Sequence, residues 1–134
     1  MRALAGTDPE RFIADFFTSF NRELLDTDDD PAAIVDRYHT PDIVQVADGH
    51  RMDRDTLIAH TRPVRKNRPE GRVDVHDAIA DGDRIAARYT LHVRRRGKEL
   101  RIEVCFFGRF ADDGRMRAAH MLTRTVPADR GEPA

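Results

Sequence analysis

Three consecutive runs near the C-terminus alternate apolar and polar residues, and this alternation constrains the fold more than any other feature of the sequence. Successive side chains of a β-strand point to opposite faces of the sheet, so a period of two predicts strands with one face in the core. The runs cover Arg84–Val93, Leu100–Phe110 and Arg115–Val126, and they are separated by Arg96-Gly97-Lys98 and Asp112-Asp113-Gly114. Gly-containing turns between alternating runs are typical of antiparallel hairpins. This region therefore predicts most of an antiparallel sheet.

The N-terminal half of the chain carries the helical signals. Asp8-Pro9 and Asp30-Pro31 each place a capping carboxylate directly before a Pro at the first helical position, which predicts two helix starts. The first helix is expected to end near Leu25 and has an apolar stripe made of Phe12, Ile13, Phe16, Phe17, Phe20 and Leu24. A third helix is expected to start near Asp53, where Pro63 should kink it or cut it short.

Two shorter strands complete the expected sheet. Residues Ile43–Ala47 are β-rich and close at Asp48-Gly49, and Val73, Val75 and Ile79 alternate with polar residues before a turn at Asp81-Gly82-Asp83. Helices that precede a mainly antiparallel sheet are the α+β pattern. We expect one domain over residues 1–126 whose strongly curved, cone-shaped sheet wraps around the Phe-rich helix. A pocket should lie at the open end of the cone, and residues 127–134 are expected to be disordered.

Composition excludes several classes of function. The chain has 134 residues with 23 basic and 24 acidic side chains, a balance that argues against a nucleic-acid or anionic-membrane binder. No apolar run approaches the roughly 20 residues that span a bilayer. The N-terminal Met1-Arg2-Ala3-Leu4 lacks the apolar core of a signal peptide, so we expect a cytoplasmic protein. Cys105 is the single cysteine, which excludes an intramolecular disulfide.

Four residues are candidates for acid–base chemistry. Strand parity predicts that His120 points into the apolar cavity, where a neutral imidazole is a suitable general base, although a hydrogen-bonded core histidine has the same pattern. Arg124 has the same parity and either stabilises an oxyanion or extends to water. Tyr38 is a possible donor to a substrate oxygen or a buried structural residue. Asp77 shares its parity with Val75, so it either orients His120, acts as a base or lies in water.

The expected pocket is dry and apolar, and its predicted walls are Phe16, Phe20, Val104, Phe106 and Leu122. Asp42, Asp48 and His60 are weaker candidates for polar roles. No pair of the six histidines has the helical spacing of a zinc motif, and no Gly-rich phosphate loop or Gly-x-Ser-x-Gly elbow is present. We therefore expect no metal and no cofactor.

The order of elements, together with the final run Asp-Gly-Arg-Met-Arg-Ala-Ala-His-Met, resembles the SnoaL-like branch of the nuclear-transport-factor-2-like superfamily. The resemblance covers about Asp8 to Val126 and includes the aromatic first helix and the Tyr that ends the second. It implies cyclase, ketosteroid isomerase, dehydratase or epoxide hydrolase chemistry on apolar ring compounds, or binding of ligands or partners without catalysis. Many relatives have an acidic, an aromatic and an Asp residue late in the last strand, where this chain has Ala118, His120 and Arg124.

Two hypotheses of function follow. The first is a cofactor-independent enzyme that transfers protons on a small hydrophobic oxygenated ring compound, with His120 as base or acid and with Tyr38 and Arg124 at the developing oxyanion. The second is a non-catalytic domain that uses the same cavity to bind a small molecule, or its outer sheet to bind a partner. Fold analogy does not choose between them.

The outer face of the sheet predicts a homodimer. Strand parity places an apolar centre there, surrounded by charge, and such a composition is typical of protein interfaces. The predicted centre is Cys105, Phe107, Ala119 and Met121, and the flanking residues are Arg88, Arg101, Glu103, Arg109 and Arg117. Twofold symmetry would bring the same patch of two copies together.

Overall fold

The computed structural model describes residues 8–127, which form three helices and six strands. In chain order these are α1 (Pro9–Asp26), α2 (Pro31–Tyr38), β1 (His39–Ala47), β2 (His50–Asp53), α3 (Arg54–Asn67), β3 (Glu70–Asp81), β4 (Arg84–Arg95), β5 (Lys98–Phe110) and β6 (Met116–Pro127). The last strand includes Pro127, and the rest of the segment that we expected to be disordered lies outside the described residues.

The predicted helix starts are confirmed by their capping contacts. The carboxylate of Asp8 accepts a hydrogen bond from the backbone N–H of Glu10 at 3.0 Å, and Asp30 caps α2 in the same way. Asp53 caps α3 by accepting from the N–H of Thr56 at 3.0 Å. The expectation that Pro63 would cut α3 short is wrong, because the helix continues to Asn67 with Pro63 inside it. The alternative, a kink at Pro63, stays a prediction.

The strands form one six-stranded sheet in the order β2-β1-β6-β5-β4-β3. Only the β1–β6 pair is parallel, and all the other neighbours are antiparallel. The sheet is curved and does not close on itself, and α1 packs against its concave face along β3 and β4. The expected α+β fold, with a curved sheet around the first helix, is confirmed.

Aromatic rings from α1 fill the narrow part of the cone. Phe16 lies with its ring centroid 5.6 Å from that of Phe110, and Phe12 contacts Phe110 from one turn earlier at 5.2 Å. Phe17 meets Phe106 at 5.8 Å, in an edge-to-face arrangement that aromatic pairs favour. These contacts form the centre of the buried core, so the concave face is filled at this end of the sheet.

One unpaired residue in β6 reverses the parity that the sequence predicted for the last strand. Arg109 pairs with Ala118, whereas the next residue of β5, Phe110, pairs with Met116, so Arg117 has no opposite residue. Such a β-bulge shifts every later side chain to the other face. After the bulge the inward residues are Ala119 and Met121, and the outward residues are His120, Leu122 and Arg124. The predicted orientations of these five side chains are therefore wrong.

The predicted orientation of Asp77 is wrong because β3 contains a second bulge. Val75 pairs with Tyr89, and Asp77 pairs with Arg88, so His76 is the extra residue of β3. Val75 belongs to the inner face, but Asp77 and Ile79 belong to the outer face, where the Ile79 side chain is 72% exposed. Asp77 thus points away from the cone.

A guanidinium group joins α3 to the end of α1. Arg65 donates from Nε to the carbonyl oxygen of Leu24 at 2.8 Å, and its two terminal nitrogens donate to Thr27 and Asp29 at 2.9 Å. The last turn of α1 has no basic residue of its own, so Arg65 satisfies C-terminal carbonyls that would otherwise lack partners.

No helix within residues 8–127 is long and apolar enough to cross a membrane.

Removing the Arg65 donors should destabilise the domain. In Arg65→Met the aliphatic stem is kept while three charge-assisted hydrogen bonds are lost, and we expect the free energy of unfolding to fall by about 2 kcal/mol. Urea denaturation followed by circular dichroism measures this change. The control Arg62→Met removes an exposed guanidinium from the same helix and should change stability by less than about 0.5 kcal/mol. Equal losses in both variants would contradict the role of Arg65.

Candidate functional site

A cavity of about 770 Å³ opens between the second half of α1 and the paired ends of β3 and β4. We call it the mouth cavity, because it lies at the end of the cone away from Phe110. Its apolar lining consists of Phe17, Phe20, Leu25, Val73, Leu91 and Val93. The volume is within the range of small-molecule sites, roughly 300–1,000 Å³. The concave face can therefore accept a ligand only beyond the aromatic core.

The predicted pocket walls are divided among three places. Phe16, Val104 and Phe106 are almost fully buried in the core, so a ligand cannot reach them without displacing other side chains. Phe20 lines the mouth cavity as predicted, whereas Leu122 lies on the outer face and is 62% exposed. The sequence did not single out Phe17, Val73, Leu91 or Val93 as walls, although their positions in the α1 stripe and in the strand alternation would have allowed it.

Polar groups lie around the rim of the mouth cavity. Thr18, Asn21, Arg22 and Asp26 belong to α1, Arg68 follows α3 directly, and Glu70, Arg72 and His92 belong to β3 and β4. Arg22 donates to Ser19 Oγ at 3.3 Å. The site therefore combines an apolar interior with a few hydrogen-bonding groups at its entrance, which is the usual composition of a ligand pocket.

Tyr38 lies between the core and the α1–α2 junction, and its hydroxyl is already occupied. Its ring packs edge-to-face against Phe16 at 5.6 Å and against Phe20 at 5.3 Å. The hydroxyl donates to the Glu23 carboxylate, which also accepts a hydrogen bond from Arg37. Burial, followed by the Glu23 hydrogen bond, raises the pKa of Tyr38 to about 12. Tyr38 is therefore a weak acid that binds Glu23 rather than the mouth cavity.

The other predicted catalytic residues lie on the outer face of the sheet, far from the mouth cavity lining. Asp77 accepts a hydrogen bond from Arg88 at 2.9 Å, and Arg124 donates to Glu103 at 2.9 Å. His120 is exposed and lies opposite Phe107. The structure therefore does not bring His120, Tyr38, Asp77 and Arg124 together. Catalytic roles for them stay predictions.

The weaker candidates have local structural partners or lie in solvent. Asp42 accepts a hydrogen bond from the Thr40 hydroxyl at 2.6 Å. Asp48 accepts from the hydroxyl of Thr123 and from its backbone N–H, the latter at 2.8 Å, and so joins the β1–β2 turn to β6. These hydrogen bonds are the main reason that the pKa of both carboxyl groups is lowered. His60 is exposed on α3.

His39 is a buried histidine that the sequence reasoning missed. It begins β1, four residues earlier than the predicted strand, and only 3% of it is exposed. Its Nδ1–H donates to the carbonyl oxygen of Val35 at 2.8 Å, and its ring packs against Phe20 with centroids 5.2 Å apart. Burial lowers the pKa of His39, because the charged imidazolium would lose its hydration. The sequence would have indicated this burial if the end of α2 had been predicted at Tyr38 and the start of β1 at His39.

The outer face carries a shallow apolar groove of about 740 Å³. We call its centre the outer patch, which consists of Ile79, Ala86, Cys105, Phe107 and Leu122. Phe107 is 47% exposed there, so large apolar side chains face outward. Two predicted members, Ala119 and Met121, instead face inward because of the β6 bulge.

In the described range 8–127, no three potential metal ligands lie together.

The comparisons with known proteins agree with this architecture. The sequence profile of the SnoaL-like domain matches residues 9–119. An uncharacterized protein of Schizosaccharomyces pombe is 28% identical over 117 residues, which are 87% of this chain and 85% of that protein. The crystal structure of IdmH, a putative polyketide cyclase from Streptomyces antibioticus, superposes with a TM-score of 0.63 at 17% identity and covers 87% of this chain and 91% of its own.

A second similar structure is an epoxide hydrolase of the LEH-like type from M. tuberculosis. It has a TM-score of 0.63 and 19% identity, and the match covers 85% of this chain and 84% of that chain. At these identities the two structures establish the fold.

Burial of neutral His39 predicts that the domain loses stability in mild acid. The unfolded chain binds a proton below about pH 6.5, whereas the folded chain resists it, so the free energy of unfolding should fall as the pH drops through this range. In His39→Gln the free energy of unfolding should change less with pH between about pH 5 and about pH 8, when it is measured by urea denaturation at each pH. His60→Gln, at an exposed position, should keep the wild-type slope. An unchanged slope in His39→Gln would contradict this assignment.

Proposed function

This chain belongs to the SnoaL-like domain family, and on that basis we propose that it binds a small hydrophobic molecule in the mouth cavity. The observation that carries the proposal is the apolar interior formed by Phe17, Phe20, Leu25, Val73, Leu91 and Val93. Removing apolar surface from water stabilises a complex by roughly 25 cal/mol per Å². The rim groups Asn21 and Thr18 would orient the oxygen atoms of such a ligand through hydrogen bonds.

Acid–base catalysis on an oxygenated ring compound is a second candidate. It is favoured by similarity to structures named as a putative polyketide cyclase and an epoxide hydrolase. The interior of the mouth cavity is apolar, its titratable residues Asp26, Glu70 and His92 lie at the border, and His92 is held by Asp74 at 2.8 Å. The hydroxyl of Tyr38 is bound to Glu23. We therefore rank binding above turnover. His120 faces away from the mouth cavity, so His120→Ala should leave turnover there unchanged, and loss of turnover with intact ligand affinity would place catalysis at the outer face. A cytoplasmic location stays a prediction of the sequence.

We further propose that two copies pair through the outer patch. Exposed Ile79, Phe107 and Leu122 form an apolar centre, and the ion pairs Asp77–Arg88 and Glu103–Arg124 lie beside it. A twofold axis brings identical patches together, so each copy can offer both signs of charge to the other. In the revised membership Leu122 takes the place of Ala119 and Met121, Ile79 and Ala86 are added, and His120 lies beside Phe107.

Binding in the mouth cavity is testable with the neutral fluorescent probe N-phenyl-naphthylamine. Val73→Asp places a charge in the apolar lining, which should raise the dissociation constant of the probe about tenfold or more. Leu25→Asp provides an independent variant, and circular dichroism verifies the fold of both. Phe107→Asp is the matched control, because it adds the same charge to the other face and should leave the affinity unchanged. Weaker binding in Phe107→Asp but not in Val73→Asp would move the site to the outer patch.

The dimer is testable with the same outer variant. Phe107→Asp places a charge in the apolar centre and should convert the dimer to a monomer in sedimentation at micromolar concentration. Ala33→Asp adds an equal charge on α2, where Ala33 is exposed, and should remain dimeric. A wild-type protein that is already monomeric, or a Phe107→Asp protein that stays dimeric, would show that the outer patch is not a self-association surface.

A further inference from the structure

The rim of the mouth cavity carries two arginines that are not engaged by carboxylates. Arg22 projects from α1 and Arg68 follows α3, and the other charged residues that line the cavity are Asp26, Glu70 and Arg72. Within residues 8–127 neither arginine forms an ion pair, and the one hydrogen bond of Arg22 goes to the neutral hydroxyl of Ser19. Three arginines and two carboxylates of the described residues therefore border the cavity, and Arg72 is the one of these arginines that pairs with a carboxylate, that of Asp74.

The other charged residues at this end of the sheet are directed to the opposite face. Glu70 and Arg72 alternate with Gly71 and Val73 along β3, so they share the outer face with Asp74. Arg72 lies 3.4 Å from Asp74, and Glu70 lies opposite Arg94 in the ladder. Arg72 is thus paired with Asp74, and Glu70 lies beside Arg94, whereas Arg22 and Arg68 border the cavity without such a partner among the described residues.

The backbone of Arg68 adds an independent observation. It has φ 45° and ψ 57°, a left-handed conformation that costs a residue with a side chain roughly 1 kcal/mol and for which glycine is the usual choice at a helix end. The left-handed Asp48 uses its side chain to bind Thr123. Arg68 makes no such internal contact within residues 8–127, and its side chain instead borders the cavity. Strain retained at a ligand site is an indication that the side chain is used.

The end of α1 does not oppose an anion at this place. The carbonyl groups at a helix C-terminus carry partial negative charge, which would repel an anionic ligand near Leu25 and Asp26. Arg65 donates to the carbonyl of Leu24 and to those of Thr27 and Asp29, and so compensates that charge. The backbone at the end of α1 therefore opposes an anion less, and Asp26 is the remaining negative group of α1 at this rim.

From these observations we infer that the molecule taken by the mouth cavity is an amphipathic anion. Its apolar body would occupy the space between Phe17, Phe20 and Leu91, and its carboxylate or other oxyanion would bind Arg22 and Arg68 at the rim. Guanidinium groups suit this role because they stay charged and offer paired N–H donors to planar oxyanions. This inference rests on the proposed function and narrows its ligand class to acids.

Two fluorescent probes of similar shape test the inference. Anilinonaphthalene sulfonate carries an anionic group that N-phenyl-naphthylamine lacks. The double variant Arg22→Gln/Arg68→Gln should raise the dissociation constant of the sulfonate about tenfold at low salt and leave that of the neutral probe within about twofold. Added salt should weaken only the binding of the sulfonate to the wild type, because exposed charges are screened. Arg11→Gln removes an exposed arginine from the start of α1 and should change neither affinity.

The outcomes separate this inference from the function on which it rests. If the sulfonate binds the double variant as tightly as it binds the wild type, or if the affinities of both probes fall equally, the anionic preference is wrong. The cavity remains a binding site in either case. If the neutral probe binds Val73→Asp and Leu25→Asp as well as it binds the wild type, the cavity itself is not the site. Selective loss of the sulfonate supports the inference.

Discussion

The β-bulge at Arg117 is the constraint that determines how the side chains of β6 face, and with them the composition of the outer patch. In a strand, one extra residue moves every later side chain to the other face, so it exchanges the inner and outer residues of β6 from Ala118 onward. With the bulge, Met121 completes the inner face beside Phe106, and Leu122 joins Cys105 on the outer patch. His120 leaves the cone for the same reason. The local backbone at the start of the last strand thus decides which β6 side chains form the outer patch, while the mouth cavity is lined mainly from α1, β3 and β4.

The aromatic core then determines where a ligand can bind. Rings from α1 pack against Phe106 and Phe110 and fill the concave face near the start of β6. Displacing one of these buried rings would cost several kcal/mol, about the loss measured when a buried Phe is truncated. Space remains only beyond Phe17, where β3 and β4 extend past the helix. The buried His39 and the Glu23–Tyr38 hydrogen bond hold α1 against α2 beside this opening.

The elements were predictable from local signals, and the site was not. Asp-Pro pairs and the Phe stripe determine α1 and α2 within the chain itself, and Gly-containing turns determine the hairpins of the sheet. The facing of His120 and Asp77 depends on bulges at Arg117 and His76, which follow from how neighbouring strands pair rather than from the alternation within one strand. The Arg65 contacts join residues 36 to 41 positions apart, and sequence periodicity carries no information at that range.

The claim that the ligand site is the mouth cavity is tested most directly by methyl NMR spectra recorded during titration with N-phenyl-naphthylamine. Methyl groups report their own surroundings, so the probe identifies its site without a substitution. The methyl signals of Leu25, Val73, Leu91 and Val93 should shift together and saturate, while those of Ile79 and Leu122 on the outer patch should not. Saturable shifts at Ile79 and Leu122, with Val73 and Leu91 unchanged, would contradict the assignment of the site.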